Sequence, residues 1–216
     1  TDLGSLTLSY SDNFAYGYAS EKAAFDQLHI LAEQEDMHWA NHHFKSGHRM
    51  DENTIEGFDM IVVDCDGEVS LDTVHDLFKE YTHFTYTTKR HTDNENRFRL
   101  VLPMNYRLEL DKEEYKEFMN SILDWLPFKS DPAANQRSKK WLTNPDTKYH
   151  YNTGELLDVL PFIPKTKRNE AFQEKFKSLE NLDNLERWFA QSIAQGNRNN
   201  QMIKYALALV DGGMDF

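Results

Sequence analysis

Hydrophobic and polar positions alternate along this chain with a period that changes several times. Between Ser20 and His38, apolar residues at Ala23, Ala24, Leu28, Leu31 and Ala32 return at helical spacing, and Ser20 stands where an N-cap would. The spacing predicts a first helix over 20–38. From Phe58 to Gly67 the run Phe-Asp-Met-Ile-Val-Val-Asp-Cys-Asp-Gly is apolar and β-branched and closes on Asp-Gly, which predicts a buried strand ending in a tight turn. Ser70 then precedes Val74, Leu77 and Phe78 at helical spacing, predicting a capped helix over 71–81. Strand character returns at Phe84–Thr88 and again at Phe98–Pro103, with the polar loop Lys89–Arg97 between them, so these two segments should pair. Tyr115, Phe118, Met119, Ile122 and Trp125 form one apolar face of a helix expected over 111–126. The stretch 127–160 reads as loop with short extended pieces. Pro161 and Pro164 break the chain, and helices are expected over 170–195 and 199–210.

This pattern predicts an α/β fold of the α+β kind, a mostly antiparallel sheet flanked by helices. Two hundred and sixteen residues suffice for one large domain or a domain with an appendage. The chain begins without Met and stops at Gly212-Gly213-Met214-Asp215-Phe216, just after an apolar helical segment, so it reads as part of something longer. No apolar run approaches the ~18 residues that span a bilayer, and the N-terminus lacks a leader pattern. A lone cysteine, Cys65, excludes an internal disulfide framework and any multi-cysteine zinc site, which fits a reducing, cytoplasmic location.

The net charge of −12 argues against a nucleic-acid partner only until its distribution is read. Residues 1–85 hold 17 acids against 4 Lys/Arg, whereas residues 86–160 hold 12 of each. Basic residues gather at Lys89-Arg90, Arg97/Arg99, Arg137/Lys139/Lys140 and Lys165/Lys167/Arg168, so a local basic groove is compatible with the acidic total.

Asp64 and Asp66, two residues apart on one strand, must point to the same face of the sheet. Such a pair repels itself unless a hard divalent cation sits between the carboxylates, and oxygen-only ligation suits Mg²⁺ or Mn²⁺. The plain alternative is a turn at Asp66-Gly67 with Asp64 a chance neighbour. His91, with Lys89, Arg90, Arg97 and Arg99 close in sequence, suits an anionic ligand, or else forms a solvated hairpin tip. Asp131-Pro132 is a turn or helix start, with Arg137 six residues on. His42, His43 and His48 match no common zinc spacing. Lys45 and Arg49 read equally as template contacts and as solvated loop charges. Trp39, Trp125, Trp141 and Trp188 are candidate base-stacking residues, although Trp125 and Trp188 lie on apolar helical faces that suit core packing.

The order of these signals, namely Gly57–Gly67 with its Asp-x-Asp, Tyr86–Thr92 with its histidine, Asn96–Pro103, then Asp131 to Arg137, resembles the archaeo-eukaryotic primase superfamily. The likeness is to primase-polymerase domains of phages and plasmids and covers about residues 40–145. It implies a primase-like catalytic domain over 1–164 with an RRM-like antiparallel sheet, followed by a linker and small all-helical domain over 165–216. It further implies template-directed nucleotidyl transfer, as DNA primase or DNA polymerase. Asp64, Asp66 and Asp131 would ligate two Mg²⁺ or Mn²⁺ ions. His91, Lys89, Arg90, Arg99 and Arg137 would bind the nucleotide. The family's small hydroxyl residue two before the histidine is replaced here by Lys89. Implied partners are a DNA template, dNTP or NTP, and a helicase domain or protein. A replication-initiator domain that binds DNA without catalysis, and a metal-dependent nuclease, are the alternatives.

Overall fold

The computed structural model describes residues 1–164, of which Thr1–Val159 form one compact unit. The helices expected over 170–195 and 199–210, the all-helical domain they would build, and Trp188 lie outside the described residues.

The strands are β1 (Leu6–Ser11), β2 (Ala19–Ala23), β3 (His38–Ala40), β4 (His43–Phe44), β5 (Thr54–Ile55), β6 (Phe58–Asp66), β7 (His83–Thr87), β8 (Arg97–Leu108), β9 (Trp141–Leu142) and β10 (Tyr149–Asn152). Among the described residues three α-helices accompany them: α1 (Leu28–Ala32), α2 (Leu71–Leu77) and α3 (Lys112–Trp125). One sheet runs β10-β7-β8-β6 and a second β2-β1-β3-β9, every neighbouring pair antiparallel, and β4 and β5 pair as a third, two-stranded sheet. The fold is therefore mixed α/β with antiparallel sheets, as the pattern predicts. Since β6 and β7 each run against β8, they are parallel to one another with β8 between them; β8 and β10 are likewise parallel with β7 between. The succession β6-α2-β7-β8-α3-β10 is thus a split βαββαβ unit.

Local chemistry accounts for the elements on which the candidate site rests. β6 is a β-branched run with no helix-favouring spacing, and it stops where Gly67 takes φ +104°, a conformation that a side chain resists. Ser70 caps α2 by accepting from the Thr73 N–H at 3.2 Å. Asp111 accepts from the Glu113 and Glu114 N–H groups while the Glu114 carboxylate accepts from the Asp111 N–H, closing a capping box at the start of α3.

Period-2 alternation assigns the two faces of the larger sheet. Met60 and Val62 on β6, Val101 on β8, and Phe84 and Tyr86 on β7 face the second sheet, where they share a core with Leu6, Leu8, Trp39 and Trp141. Ile61, Val63 and Cys65 face the other way, towards α2 and α3. A register irregularity between Phe58 and Met60 turns Phe58 onto α3, where its ring meets Tyr115 and Phe118 edge-on. Asp59 ties the sheets together by accepting from the Thr7 N–H and hydroxyl, both at 2.8 Å.

The first helix is much shorter than expected. Residues 19–23 form the exposed edge strand β2, paired from Leu6↔Ala23 to Tyr10↔Ala19, and only Leu28–Ala32 are α-helical. Backbone pairing with β1 overrides the helical spacing of Ala23, Ala24 and Leu28.

The three clustered histidines scatter. His42 is buried against Phe58 and Tyr115, His43 hydrogen-bonds the Glu21 carbonyl, and His48 stacks on Tyr16. Burial drives His42 down to about 3, and Asn41 Oδ1 accepts its Nδ1 proton at 3.0 Å. The unfolded chain binds a proton near the ordinary value of ~6.5, so this contribution to stability is complete above that pH and is lost as pH falls towards 3. Urea unfolding should show the His42 contribution as about 2 kcal/mol less stability near pH 5 than near pH 7.5. His42→Phe, which keeps the ring stack, should remove that part of the pH dependence; an unchanged slope would refute the assignment.

Candidate active site

Asp64 and Asp66 lie at the C-terminal end of β6, on the face shared with Met60 and Val62. The register sets Arg99 opposite Asp64 and Arg97 opposite Asp66. Arg97 donates to Asp66 at 2.7 Å and to Glu95 at 2.7 Å. Arg99 is nearly buried, with its Nε 3.4 Å from Asp64 Oδ1, its guanidinium donating to the Leu142 carbonyl at 2.7 Å, and its Cζ 5.4 Å from the centre of the Tyr86 ring. Trp39 Nε1–H donates to the Tyr86 hydroxyl at 2.8 Å, so the inter-sheet core continues through Tyr86 and Arg99 to the Asp64 carboxylate.

The third carboxylate arrives by main-chain docking. After α3, the Asp131 N–H donates to the Asp64 carbonyl at 3.2 Å, and the Asp131 side chain caps a 3₁₀ turn over Pro132–Asn135 by accepting from the Ala133 N–H at 2.9 Å. Lys139 donates to Asp131 at 2.6 Å. Burial alone would raise Asp131, but the Lys139 ammonium and the Ala133 N–H hold its carboxyl below the ordinary range. For Asp64 burial prevails: it pushes the carboxyl up against the pull of Arg99, and the nearby Asp66 and Asp131 charges add to the push.

Asp64, Asp66 and Asp131 thus come together, each facing a cation. Their oxygens are less tightly gathered than a mononuclear cage requires, since among the described residues the one trio whose ligand atoms all lie within 4.8 Å is a set of histidines elsewhere. A pair of ions ~3.5–4 Å apart would spread its ligands more widely. Asp64 Oδ1 is buried and has no hydrogen-bond partner. Three carboxylates, one with a buried oxygen approached by the Arg99 Nε at 3.4 Å but out of hydrogen-bond alignment, are the donor set a hard divalent cation takes, so these residues fit Mg²⁺ or Mn²⁺.

A cavity of about 200 Å³ opens on this edge, lined by Asp64, Asp66, Thr88, Lys89, Arg90, Arg99, Leu142 and Thr143. Beyond Thr88 and Lys89, which also line it, lies a wider one of about 680 Å³ that includes His91, Thr92, Asn144 and Lys148. His91 therefore sits in the adjoining cavity rather than directly against the carboxylates. Its Nδ1 accepts from the Arg97 N–H at 3.1 Å, which leaves the neutral ring's proton on Nε2 as a donor. Lys89 pairs with Asp36 at 2.5 Å, and Arg90 is exposed on the cavity rim.

Arg137 does not join this group. Its guanidinium donates to the Leu110 and Asp51 carbonyls and lies 3.8 Å from the Asp51 carboxylate, lining neither cavity. The side chain is spent on tying the segment after the 3₁₀ turn to the start of α3. Trp39 and Trp141 are core residues rather than stacking platforms, and Trp125, expected in the core, is 38% exposed beside Phe78 and Tyr81. Arg49, doubtful from sequence, donates to the Phe14 and Ser138 carbonyls.

Sequence reasoning set Arg97 beside His91 as part of an anion-binding group rather than opposite Asp66, and took Lys139 and Lys140 only as a basic tract. Lys140 is held below its ordinary pKa by burial and by Arg49, Arg99 and Lys139, which marks a local concentration of positive charge beside the three acids. Arg97 and Arg99 share the Asp-x-Asp spacing of two, and antiparallel pairing of β6 with β8 was the signal that would have matched them. Lys139 carries no such local pattern.

No family model and no curated protein matches the sequence. A solved structure, the AEP domain of a cyanophage S-2L primase-polymerase, is similar to this chain at 11% identity and a TM-score of 0.42, covering 76% of this chain and 91% of that one.

Proposed function

We propose that the chain is a metal-dependent, template-directed nucleotidyltransferase of the primase-polymerase kind, acting on a DNA template with dNTP or NTP. One observation carries the reading: the Asp131 N–H docked on the Asp64 carbonyl, which sets a third acid, 65 residues on from Asp66, beside an Asp-x-Asp pair that shares a cavity lining with Lys89, Arg90 and Arg99. A protein that only gripped DNA would gain nothing from three acids facing phosphates.

Asp64, Asp66 and Asp131 would hold two Mg²⁺ or Mn²⁺ ions, which when bound would lower the pKa of an attacking 3′-hydroxyl and offset charge on the departing pyrophosphate. The other side chains have roles of their own. Arg99 holds Asp64 in place from inside the core, and Lys139 holds Asp131. Lys89, Arg90 and the His91 Nε2–H offer donors to a triphosphate running from the smaller cavity into the larger. Together the two cavities have the volume of a small-molecule site, ~300–1,000 Å³. Electrostatic attachment to template implies binding that weakens steeply with salt.

Incubation with a primed template, nucleotides and Mn²⁺ tests the reading. A lengthened primer supports it; binding without product points to an initiator domain, and a shortened template to a nuclease. Asp131→Asn, which keeps the turn acceptor but removes the charge, should lower primer extension by about 10²-fold or more if Asp131 belongs to the metal set.

A further inference from the structure

We propose that His75, His83 and His150 form a second metal site, for a borderline transition-metal ion of the Zn²⁺ class, separate from the three carboxylates. The three come from α2, β7 and the edge strand β10, and one ligand atom from each lies within 4.8 Å of the other two. The His75 and His150 rings are 4.2 Å apart between centroids, and His83 lies 5.8 and 5.9 Å from them.

His83 supplies an independent indication. It is fully buried, and its Nδ1 lies 3.1 Å from the Tyr81 carbonyl, which can only accept, so the proton is on Nδ1. The lone pair is then on Nε2, which is buried without a hydrogen-bond partner. An orphaned buried acceptor is unfavourable, and ligation would remove that penalty. A carbonyl holding the far nitrogen is also how metal-bound imidazoles are oriented. His75 Nε2 lies 2.9 Å from the Thr85 hydroxyl, and His150 pairs in register with Thr85 from the exposed side.

With Zn–N bonds of about 2.0–2.1 Å, tetrahedral ligand nitrogens stand about 3.3 Å apart. Closing from 4.8 Å requires about 1.5 Å of movement, within reach of rotations of the exposed His150 and the half-buried His75. Three imidazoles select Zn²⁺, Co²⁺ or Ni²⁺ over Mg²⁺, and three protein ligands leave a fourth position for water. His83 and His150 lie on the helix-facing side of the sheet, whereas Asp64 and Asp66 lie on the inter-sheet side, so the two sites use different faces and different ligand chemistry. A bound ion would clasp α2, β7 and β10 together.

Titration of the untagged full chain with Co²⁺, followed by visible absorption, reads the site directly. The expected result is one equivalent with the band intensity of a four-coordinate nitrogen complex, displaced by Zn²⁺ and retained in Asp64→Asn. His150→Ala, at an exposed position that leaves the core intact, should weaken Co²⁺ binding at least tenfold, and His75→Ala should do the same. Absence of a stoichiometric Co²⁺ band in the folded wild type, or equal affinity in His150→Ala, overturns the proposal.

Discussion

Asp64→Asn is expected to reduce nucleotide incorporation by about 10³-fold or more, the largest loss of any single change in the cavity. Asparagine keeps the shape and one carbonyl oxygen, so the Asp131 main-chain hydrogen bond should survive while the ion pair with Arg99 is lost. What disappears is the charge at the buried Oδ1, which faces the Arg99 Nε at 3.4 Å without hydrogen-bond alignment and lies near Asp66 and Asp131. Neutral amides are poor ligands for hard divalent ions compared with carboxylates. Single-turnover primer extension in Mn²⁺, with circular dichroism to confirm folding, provides the measurement. Extension by Asp64→Asn at a rate within tenfold of wild type would sink the assignment of the site.

Arg99→Met should destabilise the fold by about 3 kcal/mol, far more than Arg97→Met one β8 repeat away. Arg99 and Asp64 are both nearly buried, with side chains 11% and 15% exposed, so removing the guanidinium strands a charge in the core. Breaking such a pair costs about 3–5 kcal/mol, and the lower end applies because the 3.4 Å contact lacks hydrogen-bond alignment. The Leu142 carbonyl also loses its donor. Arg97 and Asp66, at 20% and 41%, are screened by solvent, and an exposed pair of that kind is worth ~0–1 kcal/mol. Urea midpoints for the two variants decide the matter. The double variant Arg99→Met with Asp64→Asn should recover part of the loss, because the stranded carboxylate is gone. Equal midpoints for Arg97→Met and Arg99→Met would contradict the picture of a core that extends into the site.

Several elements were legible because their information is local. The β-branched run ending at Asp66-Gly67, the Ser70 cap and the apolar face of α3 each lie within a few residues and formed where expected, although the helix that Ser70 caps ends at Leu77 rather than 81. The pairing of β7 with β8 followed from two strand-like segments joined by one polar loop. Other elements depended on distant partners. β2 is an edge strand only because β1 lies beside it, and the helical spacing of its residues was misleading for that reason. The short strands β3 and β9 owe their existence to each other and to β1, across about a hundred residues of chain.

The same division runs through the site. Sequence alone determined that Asp64 and Asp66 share a face and that positive charge gathers near His91, since both follow from side-chain alternation and proximity along the chain. Only the tertiary structure decided that Asp131 docks on Asp64, that Lys139 rather than Arg137 faces it, that His91 occupies the adjoining cavity, and that three histidines from three elements meet on the opposite face. The physical reason is that local rules fix the direction a side chain takes from its own strand or helix, whereas which groups meet depends on strand register and on how α3 and the loops after it return to the sheet.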